Sequence, residues 1–510
     1  MNYLHDLFPR WVESNFHFII HDGKQHGLND TIDAILQKKP SLLFVPDAGS
    51  NDVEECKRLY DLNIPVIILD HHDCEIDNPY AIVINSQNNY SNHYLSGAGV
   101  TWQFCRYLDE KMHTNFADDE LDLVALGLTA DMMSLTSLET KHLINKGFQD
   151  TNIKNPFFTY MIQKNAYSMK DIVNPTSVAF YVAPYVNAMT RSGTIEEKTI
   201  LFESMLKFKA FKQVPSTKRG HAKDEAESIV EQAIRTVTNV KARQTKAQNV
   251  GLEKIEAMIE ENRMLEHKVL LFLLDPGTID KNLAGLVANK LMAKYQRPVC
   301  ILTKVESNPD DLPWEDSNVV SYQGSARGCE KTGILDFKKI CADTGECIFT
   351  AGHPNAFGLG IEANNIDSFI EKTDAALADI SDEPIYYVDY VYEGNEVSSE
   401  DILAIAGMDD LWGQNMDEPL LCIHGLKVSK DMVTVYVKKN NTLKITLPNG
   451  ITLMKFDASD EECNKLQNEN TGYYELNVVG TANANTWMDN TTAQLFVVDY
   501  EIIDSNEYFF

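Results

Sequence analysis

Four apolar residues, VIIL at 66–69, break off abruptly in the polar run Asp70-His71-His72. A β-branched stretch of that length has the character of a strand buried on both faces, as in a parallel sheet. Upstream, residues 1–11 carry Tyr3, Leu4, Leu7 and Phe8 at helical spacing with no capping residue before them, so they read as the tail of an amphipathic helix. FHFII at 16–20 is a strand candidate, a helix is expected over 29–38, and SLLFV at 41–45 is a second buried strand that ends in Pro46 and Asp47. A helix over 51–62 then leads to the strand at 66–69, and a further strand over 80–84 leads into Asn85. This β-α-β-α-β alternation predicts a doubly wound parallel sheet. SGAGV at 96–100 opens the next helix, and an apolar helix over 121–130 runs into Asp131.

The pattern changes twice more. Residues 224–266 are polar with Ile229, Ala233, Ile234, Val237 and Val240 at helical spacing, which predicts a long connecting helix between two lobes. VPSTKRGH at 214–221 reads as a hinge. VLLFLLD at 269–275 opens a second α/β lobe, and from residue 383 onward short alternating strands take over, at 432–439, 442–448, 451–456, 473–483 and 493–502. Pro-Asn-Gly at 448–450 supplies a hairpin turn. Five short strands fit an OB-like β-barrel. The expected organisation is therefore a doubly wound domain over 1–205, a connecting helix over 206–267, a smaller α/β domain over 268–378 and a β-barrel domain over 383–510.

Composition narrows the class. No apolar stretch is long enough to span a bilayer and no charged-then-apolar leader follows Met1, so the cytoplasm is the expected location. The nine cysteines form no C-x-x-C pair, which argues for reduced thiols rather than a zinc site; Cys341 and Cys347 read as small core residues. A net charge of −30 would normally argue against a nucleic-acid partner. The acidity is concentrated, however, since residues 381–510 hold 23 Asp and Glu against 7 Lys, a balance of −16. Basic clusters at Lys207, Lys209, Lys212, Lys218 and Arg219, and at Lys241, Arg243 and Lys246, leave room for a positive groove upstream, although a solvated helix face explains the second cluster equally well.

The candidate chemistry sits where strands end. Ligands of open α/β sheets bind at the carboxyl ends of the strands, and sequential strands tend to be neighbours. Asp47 and His71 are thereby placed on one rim, with Asp131 as a third candidate. Asp and His are the residue types that hold a divalent metal. Taken singly, Asp70 would be a capping residue, His71 and His72 surface histidines, and Asp131 a helix-terminal cap.

Taken together, PDAG with Asp47, LDHH with residues 70–72, AIVINSQ with Asn85 and ALGLTADMMSL with Asp131 resemble the second to fourth signature motifs of the DHH phosphoesterases, in family order. Within that superfamily the chain most resembles the RecJ-like single-strand DNA exonucleases. APYVNAMTRSG, with Asn187 and Arg191, resembles the segment that follows the DHH domain, while residues 283–302, GSARG at 324–328 and AGHPNAFGLGIE at 351–362 resemble the DHH-associated substrate-binding domain. RecJ-like proteins also carry an OB-type domain at the position of the C-terminal strands.

The resemblance implies a two-metal phosphodiesterase using Mn2+ or Mg2+, with Asp47 bridging the ions, His71 and Asp131 completing one coordination shell, and Asp70 and His72 orienting that shell or touching the scissile phosphate. It implies substrate contacts at Asn187, Arg191, Ser325, Arg327, Gly352 and His353, and at Lys24 and His26 in the loop HDGKQHGLND. The Gly324-Ser325-Arg327 segment is expected to be a small-residue turn offering backbone N–H groups and a guanidinium to a phosphate. Tyr436, Phe456 and Trp487 are either base-stacking platforms or core. One departure stands out. The family's opening D-x-D-G-like turn has no counterpart ahead of Asp47, and His21-Asp22-Gly23 resembles it only superficially, so a chain lacking its first strand and first motif is expected, with weakened metal affinity. The expected activity is 5′-to-3′ hydrolysis of single-stranded DNA in repair or recombination, with the acidic C-terminal domain as a surface for a protein partner. Two alternatives remain open: a phosphoesterase of short oligonucleotides or cyclic dinucleotides, and a catalytically impaired nucleic-acid or protein-binding module.

Overall fold

The computed structural model of the chain describes residues 1–22, 27–74, 76–218, 220, 225–306, 320–381, 383–394, 396–437, 440–467, 471–488 and 490–507. The chain opens with α1 (Asn2–Leu7) and α2 (Pro9–Asn15), divided at Phe8 because Pro9 starts a new helix. Tyr3 is buried and its hydroxyl donates to Asp109 at 3.2 Å, while the Asn2 amide donates to Glu120 and to the Met205 carbonyl, both at 3.0 Å. The strand expected over 16–20 does not form. That segment joins no ladder, and its Phe18 ring lies instead against a helix residue, 4.6 Å from Phe202.

The next elements follow the expected alternation: α3 (Ile32–Lys38), β1 (Leu43–Pro46), α4 (Val53–Asp61), β2 (Val66–Asp70) and β3 (Ile82–Asn85). The three strands are parallel in the order β1-β2-β3, with Val45 beside Ile68 and Asp70 beside Asn85. β2 is the central strand and both of its faces are covered. Ile68 packs in a cluster with Ile32, Ile35, Cys56 and Leu59, and Leu69 in another with Leu95, Val124 and Leu128.

A helical layer follows, made of α5 (Gly97–Met112), α6 (Leu121–Ala130), α7 (Leu138–Gly147), α8 (Pro156–Met169), α9 (Pro175–Tyr181), α10 (Ala183–Ser192) and α11 (Ile195–Met205). Ser137, Asn155, Asn174 and Thr194 cap their helices through side-chain oxygens, which is why these starts are sharply set. A short hairpin, β4 (Gln213–Pro215) with β5 (Ala226–Ser228), then feeds α12 (Ile229–Glu261), capped by a Ser228–Glu231 box. This 33-residue helix is shorter than the connector expected over 206–267. Its first half gives Val230, Ala233, Val237 and Val240 to the first core, its second half gives Ile255 and Ile259 to that of the second lobe, and Gln244, Gln248 and Gly251 are buried between them.

The second lobe contains β6 (Leu270–Leu274), α13 (Ala284–Tyr295), β7 (Val299–Glu306), β8 (Val320–Arg327), α14 (Phe337–Asp343), β9 (Cys347–His353), β10 (Ala356–Glu362) and α15 (Ile366–Ala376). Its sheet runs β6-β7-β8-β10-β9, with only the first pair parallel. Gly324, Ser325 and Arg327 lie on β8, not in a turn as their small side chains suggested. Glycine serves here to let strands approach, because a Cβ at 324 would fall 2.0 Å from the Ile301 carbonyl oxygen.

The last region holds β11 (Tyr390–Glu393), α16 (Ser399–Ala406), β12 (Leu420–Val428), β13 (Val433–Tyr436), β14 (Asn441–Thr446), β15 (Thr452–Ala458), α17 (Asp460–Leu466), β16 (Thr471–Trp487) and β17 (Asn490–Glu507). All five expected strands form, and the Pro-Asn-Gly turn joins β14 to β15 with Gly450 at φ +86°. β11 and β12 escaped the sequence reading. The seven strands run β11-β12-β16-β17-β15-β14-β13, and among the described residues the outer two are not paired with each other, so the expected barrel is an open sheet. Tyr436, Phe456 and Trp487 are exposed rather than core, at 45, 51 and 72%. This region rests on the first lobe through Leu135 N–H to Gln414 O at 2.9 Å and Asn174 to Asp409 at 3.1 Å. Among the described residues no helix is long and apolar enough to cross a membrane.

Candidate metal centre and substrate cleft

The centre is built at the ends of β1 and β2. Asp47 follows β1 in the left-handed region, at φ +64°, and its N–H donates to the Leu69 carbonyl at 2.9 Å. A non-glycine residue there is strained and persists because its surroundings fix it. α5 starts directly against Asp47, and only glycine fits at 97, since a Cβ would fall 2.3 Å from Asp47 Oδ1.

At the end of β2 the Asp70 carboxylate is almost fully buried, yet well satisfied. It accepts the backbone N–H of His71 at 2.7 Å, of His72 at 3.3 Å and of Ser50 at 3.2 Å, and lies 2.7 Å from His72 Nδ1. Burial pushes its pKa up, but the bonds from His72, Ser50 and the backbone outweigh burial and hold it well below the usual carboxylate range. The same contact raises the His72 pKa, against burial. β3 adds a brace: the Asn85 amide donates to Ser50 Oγ at 2.8 Å and to the His72 carbonyl at 2.9 Å, and Gln87 donates to the carbonyls of His71 and His93 at 3.0 Å each.

Three side chains from three separate elements converge here. His71 Nε2 stands 3.2 Å from Asp47 Oδ1 and 3.2 Å from Asp131 Oδ2, with its ring only 9% exposed, and that nitrogen makes no hydrogen bond. Two ligands at right angles on a cation with bonds of about 2.1 Å are about 3 Å apart, so the spacing fits a shared divalent ion. Asp47, His71 and His72 offer ligand atoms within 4.8 Å of one another. Among the described residues no carboxylate from positions 1–22 joins this group. Asp131 sits where α6 ends, and the Asn187 amide fixes that end by donating to the Ala130 carbonyl at 3.1 Å. Burial raises the Asp131 pKa, opposed by His71 and reinforced by Asp47.

Arg191, on α10, and Arg327, on β8, come from different lobes and are close enough to act on each other electrostatically. Burial lowers the pKa of both, and Arg191 lowers that of Arg327 further. Ser325 and Arg327 share one face of β8 against the start of α13, where a Cβ on Gly285 would lie 2.5 Å from Arg327 Nη2. The β8 backbone N–H groups belong to ladders with β7 and β10, which leaves recognition to side chains. Gly352, at φ +126°, and His353 lie at the exposed β9–β10 turn, with His353 two strands away from Arg327. Lys24 and His26 lie outside the described residues. The basic cluster around residue 207 is largely neutralised, as Lys207 pairs with Glu120 and Lys209 with Glu203, and Arg243 pairs with Glu197. Sequence reasoning missed Ser50, Gln87 and Gly97. Ser50 follows one quoted motif and Gln87 closes another, but their roles depend on partners brought in by the fold, Asp70 and Asn85 for Ser50 and the carbonyls of His71 and His93 for Gln87.

Comparison with known proteins matches residues 2–128 to the DHH family, N-terminal domain, and residues 388–499 to the RecJ OB domain. The chain is 34% identical over 510 residues to the Bacillus subtilis (strain 168) protein named "Putative SPbeta prophage-derived single-strand DNA-specific exonuclease YorK", covering 99% of this chain and 85% of that one. It is 23% identical to the single-stranded-DNA-specific exonuclease RecJ of Bacillus subtilis (strain 168), covering 97% of this chain and 58% of the relative. The fold matches the crystal structure of RecJ in complex with Mn2+ from Thermus thermophilus, with a TM-score of 0.68 at 17% identity over 94% of this chain and 64% of that one. The corresponding Mg2+ complex matches with a TM-score of 0.59 at 16% identity, over 99% of this chain and 75% of that one. The chain thus spans under two thirds of the Bacillus RecJ and of the first of these structures.

Proposed function

Because the chain belongs to the RecJ-like single-strand DNA exonucleases of the DHH family, we propose that it hydrolyses phosphodiester bonds of single-stranded DNA from the 5′ end, with divalent ions held by Asp47, His71 and Asp131. The observation that carries this reading is the buried, unbonded His71 Nε2 aimed between two carboxylates. A Mn2+ or Mg2+ ion bound there would make a bound water easier to deprotonate and would compensate charge on the phosphoryl oxygens.

The chain's own groups divide the rest of the work. Asp47 and Asp131, with side chains 62 and 47% exposed, present carboxylates toward solvent over the His71 ring. Asp70 orients both histidines and, being buried, touches no substrate; His72, with its side chain 45% exposed, faces the scissile phosphate. Asn187 acts through Asp131 by fixing the end of α6. Arg191, Arg327 and Ser325 take a substrate phosphate from the two sides of the cleft, where guanidinium forks suit phosphate oxygens. Gly352 and His353 border the path of the strand. The exposed aromatics of the last sheet stack bases, while its acidity suits a protein partner. The setting is cytoplasmic, in DNA repair or recombination.

The test uses single strands labelled at either end. With Mn2+, mononucleotides are expected from the 5′ end, with loss of cleavage on chelation and in Asp47→Ala. Metal-independent binding without cleavage would overturn the nuclease reading in favour of a binding module, and release from the 3′ end would overturn the polarity.

A further inference from the structure

The middle of α12 is polar where its ends are apolar. Gln244 and Gln248, only 3 and 6% exposed, lie between the part of the helix in the first core and the part in the second. Buried amides of this kind are retained when they make specific bonds. The Gln244 amide donates to Ser192 Oγ at 3.1 Å, beside Arg191, and its carbonyl accepts from Lys241 Nζ at 3.4 Å. From the other lobe, Lys290 on α13 donates to Asn249 Oδ1 of α12 at 3.0 Å. The two ammonium groups therefore rest on Gln244 and Asn249, five positions or about 7.5 Å apart along the helix.

Neither lysine pairs with a carboxylate among the described residues, and neither do Arg191 and Arg327. Converging unpaired cations repel one another, which is unexpected in a chain with 75 Asp and Glu against 45 Lys and Arg. Burial, Lys290 and Arg191 together lower the Lys241 pKa, which agrees with this crowding. An anionic ligand is what relieves it. The cations follow one another from Arg327 through Arg191 and Lys241 to Lys290, an arrangement that suits a ligand carrying several phosphates in line.

We infer that Lys241 and Lys290 form a second phosphate subsite along α12, which grips the backbone of a single-stranded nucleic acid beyond the phosphate taken by Arg191, Ser325 and Arg327. This rests on the nuclease reading for its substrate but is read out by binding. The consequence is a length requirement: short substrates fill the first subsite and leave the second empty.

The full chain is compared with Lys241→Gln, Lys290→Gln and the double variant, using a fluorescent single strand and a chelator so that nothing is cut. Affinity is followed against salt. Each lost contact is expected to flatten the slope of log K against log salt by about 0.7, and the double variant by about 1.4, with Lys241→Arg restoring the slope. With Mn2+, the ratio of kcat/KM for a long strand to that for a dinucleotide falls in the double variant. An unchanged slope, or equal losses on both lengths, overturns the subsite. If the unaltered chain binds strands but cleaves none, the nuclease reading fails while the slope still decides the subsite.

Discussion

The Nε2 atom of His71 stands 3.2 Å from the Asp131 carboxylate with no hydrogen bond between them. A buried ring nitrogen that faces two carboxylates without a hydrogen bond is a costly arrangement, which a cation between them relieves. Asp131→Asn removes one of the two charges that would hold this cation. Mn2+ affinity is expected to fall at least about 100-fold, more than is typical for losing an outer partner. Isothermal titration with Mn2+ checks this, and undiminished affinity would place the ion elsewhere.

Asp70 touches no ion in this arrangement, yet it holds both histidines in place. Asp70→Asn puts an amide where the carboxylate accepts from Ser50 and meets His72. Mn2+ affinity is expected to drop about 10- to 100-fold, with far-UV circular dichroism unchanged. A variant with full affinity would show that the backbone alone sets the histidine rotamers.

Gly97→Ala tests the approach of α5 to Asp47. The added methyl carbon would lie 2.3 Å from Oδ1 and 2.8 Å from the Asp47 Cα, so the backbone itself must shift. A misplacement of about 1 Å at a reacting centre costs about 100-fold in rate. Cleavage of a labelled strand should fall by that order while the chain stays folded, as read by its melting curve.

Away from the centre, the Arg235 guanidinium forks onto the buried Glu227 carboxylate at 2.6 and 2.5 Å. This contact, against burial, brings the Glu227 pKa down to about 2. Since the folded value lies below the ordinary value of 4.5, the pair stabilises the fold above that pH and the contribution fades as pH falls toward 2. Arg235→Ala is expected to cost about 3 kcal/mol in urea unfolding at neutral pH. It should also flatten the loss of stability between pH 4.5 and 2, where an unchanged acid limb would contradict the pairing.

The strand rim was legible in the sequence because a buried strand and its polar end leave a local signature. VIIL followed by Asp-His-His needs no partner to be recognised, and β2 forms there. Residues 16–20 have the same apolar character but find a helix instead of a strand edge, which no local pattern reveals. Gly324 looked like a turn because small residues serve turns and tight strand contacts alike, and only the Ile301 carbonyl distinguishes them. β12 was hidden by Gly425, whose φ of +66° marks a break in register between Ile423 and Leu426. The bond from Asn187 to Ala130 spans 57 positions, and so belongs to the fold alone.

α12 places its two ends in separate apolar clusters while staying one continuous helix. Heat should therefore melt both lobes in a single calorimetric peak, because neither cluster can come apart without losing turns that the other needs. A proline at position 246 would uncouple them, and two peaks would replace one.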